Sequence, residues 1–306
     1  MILNSKFSVV FFLIFIYFPT IFFIEKGYQF LIIGAVFLRF CSTRVKEEIK
    51  RKNQRILPGL LGVLLALFLV IPTAQAADYS IGGGLGVAPD YEGSSDYELV
   101  PVPTGSAKFD NGMFVKLLGL NLRANLIPSN FWRLGPIYNY RAERDNVEDN
   151  RVDRMREVSD ANEFGIFGGI EWDNWYVFLD LLGDTGNAYE GWYGTLKGGY
   201  TWIINPEWAL SMGAFTTYAD DDYMQTYFGV NGRDSARSGL DTYDADESLK
   251  GIGLDLGANW AFAQNWNLRG LLQVKQLVGD ADDDSPVVDQ GSETQMFTAV
   301  LVVWKF

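Results

Sequence analysis

No histidine occurs among the 306 residues, and the lone cysteine, Cys41, lies close to the N-terminus. The first absence removes Ser-His hydrolysis, histidine acid–base pairs and histidine metal sites. The second leaves everything after residue 41 without disulfides or thiolate chemistry, which a barrel closed by backbone hydrogen bonds does not need. Basic side chains are scarce as well. Residues 77–306 hold sixteen Lys+Arg against thirty-five Asp+Glu, a net of −19, whereas residues 1–76 carry +6. So acidic a surface repels nucleic acid, which binds basic patches. No segment presents a distinctive carboxylate pair, and Gly82-Gly-Gly-Leu-Gly86 lacks the spacing of a dinucleotide fingerprint. The expectation is a non-enzymatic protein with no cofactor, no catalytic residue and no metal.

Tryptophan is missing from the first 130 residues, and its placement afterwards is informative. Trp132, Trp172, Trp175, Trp202, Trp208, Trp260 and Trp266 flank four short turns at 127–132, 172–175, 202–208 and 260–266, and Trp304 is near the C-terminus. Aromatic rings settle at membrane–water boundaries, so these eight are expected to form the girdle of a transmembrane β-barrel. The segments between them alternate. Ile252, Leu254, Leu256, Ala258, Trp260 and Phe262 interleave with Gly251, Gly253, Asp255, Gly257, Asn259 and Ala261. Strand side chains point alternately to two faces, so each segment has an oily face and a small or polar one. A soluble sandwich would bury the oily face on a second sheet. The tryptophan turns and the processing signal below favour lipid instead.

Lys50, Arg51, Lys52 and Arg55 precede an apolar run over 56–71, and Ala74-Gln75-Ala76 offers a small-x-small cleavage site. That order is a secretory signal peptide. The run is short for a membrane helix and contains Pro58 and Gly59, which favours cleavage over retention. Residues 1–49 hold two further apolar runs. They are either an N-terminal anchor or sequence upstream of a later translation start near Val45 or Ile49, and a signal peptide with its basic region at the true N-terminus favours the latter. The expected organisation is an extension at 1–49, a signal peptide at 50–76 and an outer-membrane barrel at 77–306.

Strand segments are expected near 78–88, 96–108, 112–126, 131–141, 161–171, 175–183, 189–203, 207–220, 249–262, 266–278 and 293–306. That is eleven, while bacterial single-chain barrels have an even number. Within 112–126 the outward parity slips at Leu117-Leu118-Gly119. A tight turn there gives twelve antiparallel strands, and a bulge gives ten with one terminal segment outside. Twelve is the reading adopted. Long connections at 142–160, 221–248 and 279–292 belong outside, which places the tryptophan turns on the periplasmic side. The same parity puts Arg123, Arg133, Glu163, Asp180, Lys197, Asp255, Arg269 and Lys275 in the lumen. Both signs occur, as in an ion-paired plug rather than a pore tuned to one charge. Asp220-Asp-Asp222 and the acids over 280–284 read as solvated loop surface; the latter lack the Gly and Glu of a calcium loop.

Gly86-Val-Ala-Pro-Asp-Tyr-Glu-Gly93, followed by Asp96-Tyr97 and Val100-Pro-Val-Pro103, resembles the opening of the MipA/OmpV family. Tyr227-Phe-Gly-Val230, Ala236-Arg-Ser-Gly-Leu240 and Tyr243 resemble its loop signature. Its motif residues would be Pro89, Asp90, Tyr91, Gly93, Tyr227, Gly229, Ser238, Gly239, Leu240 and Tyr243, and Phe306 its C-terminal signal for the barrel assembly machinery. The resemblance covers about 77–306. It implies an outer-membrane barrel in contact with lipid and lipopolysaccharide. It further implies a scaffold between a lytic murein transglycosylase and a penicillin-binding murein synthase, or else a narrow porin-like channel or adhesin. The periplasmic turns with Asn130, Asp173, Asn174, Asn205, Glu207 and Asn265 are the candidate docking surface, although such residues also form tight turns for their own sake.

Overall fold

The computed structural model describes residues 76–306 other than 283. The expected extension and signal peptide lie outside these residues, apart from Ala76, where the first strand begins. Twelve antiparallel strands close into a barrel in which each pairs with its chain neighbours and β1 pairs with β12. They are β1 (Ala76–Pro89), β2 (Tyr97–Phe109), β3 (Phe114–Leu118), β4 (Asn121–Asn125), β5 (Trp132–Arg141) and β6 (Ala161–Trp172), followed by β7 (Trp175–Asp184), β8 (Trp192–Ile203), β9 (Trp208–Ala219), β10 (Ser248–Ala263), β11 (Trp266–Leu277) and β12 (Thr294–Lys305).

The parity slip at 117–119 is a hairpin turn. Gly119 has φ +58°, and Leu118 pairs with Asn121 across it. The result is twelve strands, two of them only five residues long. Closure leaves no free sheet edge along most of the wall, so backbone groups are satisfied without water. Outward side chains are apolar and exposed, among them Leu134 on β5, Ile166 on β6, Leu179 on β7 and Leu254 on β10.

Two expectations need correction. The segment expected at 189–203 starts at Trp192, because the Asp184 carboxylate accepts the main-chain N–H groups of Gly186, Ala188, Tyr189 and Glu190. That set of bonds curls 185–191 into a loop. The long connection after β9 is not plain solvated surface either. It contains α1 (Asp221–Tyr227) and α2 (Gly232–Ser238), capped at their N-termini by Asp220 and Asn231. Asp220 is buried, and its carboxylate accepts from Tyr223 N and Trp192 N. Its role is local: it caps a helix and ties it to β8. With Asp221 and Asp222 it forms the acidic group whose oxygens lie within 4.8 Å of one another.

Candidate functional site: a plugged outer mouth over a bare periplasmic rim

The connections at one end, 110–113, 126–131, 173–174, 204–207 and 264–265, are short, and by the rule that outer-membrane barrels keep short turns inside this end is called periplasmic. Those at the other end are long, except at 119–120, and fold back over the opening. The β1–β2 loop dips inward. Tyr91 packs with Val147, Val230, Leu240 and Val287. Gly93 has φ +106°, and a Cβ there would come within 2.9 Å of Val288 Cγ2, so only glycine makes this turn without a clash. Between them Glu92 is aimed at the barrel axis.

Glu92 is the hub of the mouth. Its carboxylate accepts from Lys250 Nζ at 2.6 Å, from Lys275 Nζ and from Tyr223 Oη at 2.7 Å, with Arg141 Nη1 at 3.8 Å. Lys250 also donates to Tyr223 Oη at 2.9 Å. Burial pushes the Glu92 carboxyl up, but Lys250, Lys275 and Arg141 outweigh it and hold the group well below the usual carboxylate range. Burial also raises the Tyr223 phenol far above its usual value, Arg141 opposing and Glu92 reinforcing, so it stays a neutral donor. Loop, helix and two strands are thereby joined across the opening by four side chains.

One layer deeper, Glu163 is fully buried and saturated. It accepts from Arg141 Nε at 2.7 Å, Asn139 at 2.7 Å, Tyr193 Oη at 2.7 Å and Tyr189 Oη at 3.1 Å. Further down, Arg123 pairs with Asp180 at 2.9 Å and Lys197 joins the same carboxylate at 3.3 Å. Arg133 pairs with Glu171 at 2.9 Å and donates to Ser129 O. Asp255 accepts from Gln273 at 2.7 Å, and Arg269 donates to Asn259 at 3.4 Å. All eight residues expected in the lumen lie on inward strand positions; seven of them, Arg269 included, meet a charged or amide partner on another strand, and Lys275 meets Glu92 of the β1–β2 loop. Two apolar patches accompany them, one around Phe114, Ile137, Phe167 and Phe178, the other around Val102, Ala299, Leu301 and Val303.

Sequence parity missed Lys250, because strict alternation with Ile252 sends it outward. A register shift between Leu249 and Gly251 turns it in; a bulge re-aims one side chain in just this way. It missed Glu92 because a loop residue has no parity. The signal was available in the motif itself, where an acid stands between Tyr91 and Gly93.

The two motif segments meet at this mouth. Pro89 ends β1, and Asp90 accepts from Glu148 N at 3.0 Å. Tyr227 packs on Tyr189 and Tyr223. Gly229 abuts the Gln225 side chain. Ser238 Oγ donates to Asp234 O, Gly239 closes α2 in the left-handed conformation, and Leu240 reaches the Tyr91 cluster. Tyr243 bridges to Val230 and donates to Asp280 O at 3.2 Å.

At the other end, Trp172 stacks on Trp175, Trp208 on Trp260, and Trp266 leans on Trp304. Trp132 and Trp202 stand exposed at the same level. Trp192 lies at the opposite end, beside Tyr218. Phe306 packs on Trp304 with ring centroids 4.1 Å apart, and its N–H reaches Tyr79 O. Two polar rim residues serve their own turns, Asn205 Oδ1 accepting from Glu207 N and Trp208 N and Asp173 sitting at φ +51°, whereas Asn265 donates to Lys305 O at the end of β12.

A closed barrel that is oily outside, ringed with tryptophan and ion-paired within is a transmembrane β-barrel of the outer-membrane type. The chain belongs to the family described as MltA-interacting protein MipA, which matches residues 81–306. The MltA-interacting proteins of Escherichia coli (strain K12) and Shigella flexneri are each 27% identical to it over 239 residues, covering 75% of this chain and 91% of theirs. Among solved structures, a NanC porin aligns over 74% of the chain and all of its own at 11% identity and TM-score 0.39. The COG4313 outer membrane channel from Pseudomonas putida F1 aligns over 78% of the chain and all of its own at 11% identity and TM-score 0.40.

Proposed function

We propose that this chain is a non-enzymatic outer-membrane scaffold whose periplasmic rim holds murein-processing proteins, a lytic transglycosylase and a penicillin-binding synthase. The observation that carries the reading is the asymmetry of the barrel. The outer mouth is closed by its own loops through Glu92, while the periplasmic end offers an exposed ring of Asn130, Asp173, Asn205 and Glu207 beside the tryptophans. Murein lies on that side of the membrane. The printed name of the relatives, MltA-interacting protein, supports a transglycosylase as one partner. The absence of histidine and cysteine from residues 77–306 supports a role without catalysis.

The competing porin-like or adhesin reading would use the outer loops. A conducting path would have to part the Glu92 cluster and pass the Glu163 and Asp180 layers. Crosslinking in intact cells expressing the tagged chain tests the choice. Capture of a transglycosylase or synthase, lost when Glu207 and Asp173 are reversed in charge, is the expected result. Recovering only porins and lipopolysaccharide, with current across planar bilayers, would replace the scaffold with a channel.

A further inference from the structure

The barrel wall has a window towards its outer end. β2 pairs with β1 along its full length but with β3 only over Thr104–Lys108. The last contact is Gly119 N donating to Pro103 O, where the β3–β4 hairpin turns. On the far side of the hairpin β4 pairs with β5 only over Asn121–Arg123, and Tyr140 N reaches Leu120 O. The five residues of β3, at about 3.3 Å each, reach about 17 Å, whereas the apolar band of an outer-membrane barrel is about 25 Å tall. The hairpin stops short of the outer water.

Main-chain groups alternate in direction along a strand, and Pro103 O points to the hairpin side. Pro101 O and the N–H and carbonyl of Leu99 therefore point into the window. Among the described residues none of these three groups has a main-chain partner. An open edge of this kind ordinarily recruits a further strand. Here Pro101 and Pro103 have no N–H to give, so residues 99–103 offer a single donor and make a poor template. The Leu99 side chain stands at the edge, 62% exposed. Acyl chains satisfy none of these groups, and a bare main-chain group in hydrocarbon is heavily penalised.

Two further observations bring polar surroundings to the same place. Tyr138 lies opposite Leu122, near the end of the hairpin, and turns its hydroxyl to Asn162 on the outward face of β6 at 2.8 Å. Aromatic rings with polar tips settle at the membrane–water boundary. On the complete wall, by contrast, exposed apolar positions run to Trp192 at the outer end of β8 and Leu249 at that of β10. On the lumen side a cavity of about 320 Å³ is lined by Glu98 and Val100 of β2, so the inner side of the window borders open space.

We infer that the outer leaflet dips at this window, so that water and lipid head groups, not acyl chains, meet Leu99 and Pro101. The occupant is a hydrogen-bonding lipid surface: hydroxyls donate to the two carbonyls, and an oxygen accepts from the Leu99 N–H. The prolines disfavour a strand from a second copy. The window belongs to the outer half of the wall and is independent of the scaffold role of the rim.

Single thiols report the depth of the water. Cys41 is the only native cysteine, so a Cys41→Ser background is free of them. Val87 faces outward on β1 as the cross-strand partner of Leu99, and it has Thr298 of β12 on its other side. The full chain carrying Leu99→Cys or Val87→Cys is folded into phosphatidylcholine vesicles with its outer end exposed. Each thiol is treated with a membrane-impermeant maleimide, and the rate is divided by that of a lipid-soluble maleimide at the same position, which cancels crowding. The ratio should be at least about tenfold higher for Leu99→Cys, because only that side chain borders unpaired main chain. Equal ratios, high or low, would overturn the dip. A low ratio at Leu99→Cys in vesicles where the chain is dimeric would overturn it too, by seating a second copy over the window.

Discussion

The two ends of this barrel are built from different materials. The periplasmic end is short turns rich in Asn, Asp and Pro, four of the five flanked by indoles. The outer end is long loops that give up solvent to fill the lumen, with Tyr91, Leu240 and Val287 in one apolar cluster and Tyr223, Tyr227 and Phe228 in another. A turn that satisfies itself leaves its outer surface free for a partner. A loop that satisfies the lumen has spent its polar groups already. Exposure at one end and occlusion at the other are thus two consequences of connection length.

The largest effect should come from removing the hub of the closed end. Glu92→Ala leaves Lys250, Lys275 and Tyr223 facing one another without their common acceptor. Breaking such a buried pair costs about 3–5 kcal/mol, because the stranded charges have no water to return to. Urea unfolding followed by tryptophan emission should show that loss, and planar bilayers should show more current than with the parent chain. Unchanged stability and silence in the bilayer would mean that the mouth is closed by apolar packing alone.

Acid should produce a smaller version of the same effect. Glu92 titrates lower in the folded chain than in the unfolded one, so its contribution is complete above the usual carboxylate value of 4.5 and fades as the pH falls below it toward the depressed folded value. The stability difference between the parent and Glu92→Gln should be flat near neutrality. It should narrow only once the pH drops below about 4.5. A difference that grew on acidification would contradict the ion-pair account.

These two predictions concern residues that sequence reading did not single out, and the reason is physical. Parity along a strand reports which face a side chain takes, so Arg123, Asp180 and Lys197 were legible from Leu122, Leu179 and Leu196 beside them. The hairpin at Gly119 was legible from the same parity breaking. Lys250 was not, because a bulge shifts the count by one and leaves no mark in composition. α1 and α2 were hidden for another reason: seven residues are too few for a periodic stripe, and their caps, Asp220 and Asn231, read equally well as loop polarity. Glu92 lies in a loop, where periodicity says nothing and only tertiary packing decides direction. The rim was legible because tryptophan at a turn is a local signal.

At the open end the effects should be modest. Trp208 and Trp260 face each other across β9 and β10, with ring centroids 5.5 Å apart and planes 9° from parallel. A double-mutant cycle to alanine should return a coupling of about 0.5–1.5 kcal/mol, the usual worth of an aromatic pair beyond its area. A coupling near zero would mean that each ring is anchored by lipid rather than by its neighbour.

The smallest effect is the most useful for the scaffold reading. Asp173 is exposed and occupies the left-handed region at φ +51°, where glycine fits without strain. Asp173→Gly therefore keeps the Trp172–Trp175 turn, deletes only a carboxylate, and should move stability by no more than about 0.5 kcal/mol. Its effect on transglycosylase capture then separates two roles that most substitutions confuse. If Asp173 is there to make the turn, capture is unaffected, because the turn survives. If the rim is a docking surface, capture drops while unfolding is unchanged, and charge reversal at the neighbouring Glu207 should deepen the loss. The docking reading predicts the second outcome. Asn205→Ala gives the opposite control: it removes the acceptor for Glu207 N and Trp208 N, so stability should fall by about 1 kcal/mol. Any loss of capture there would have to be discounted by the damage to the turn, which is why Asp173 is the cleaner position on which to decide.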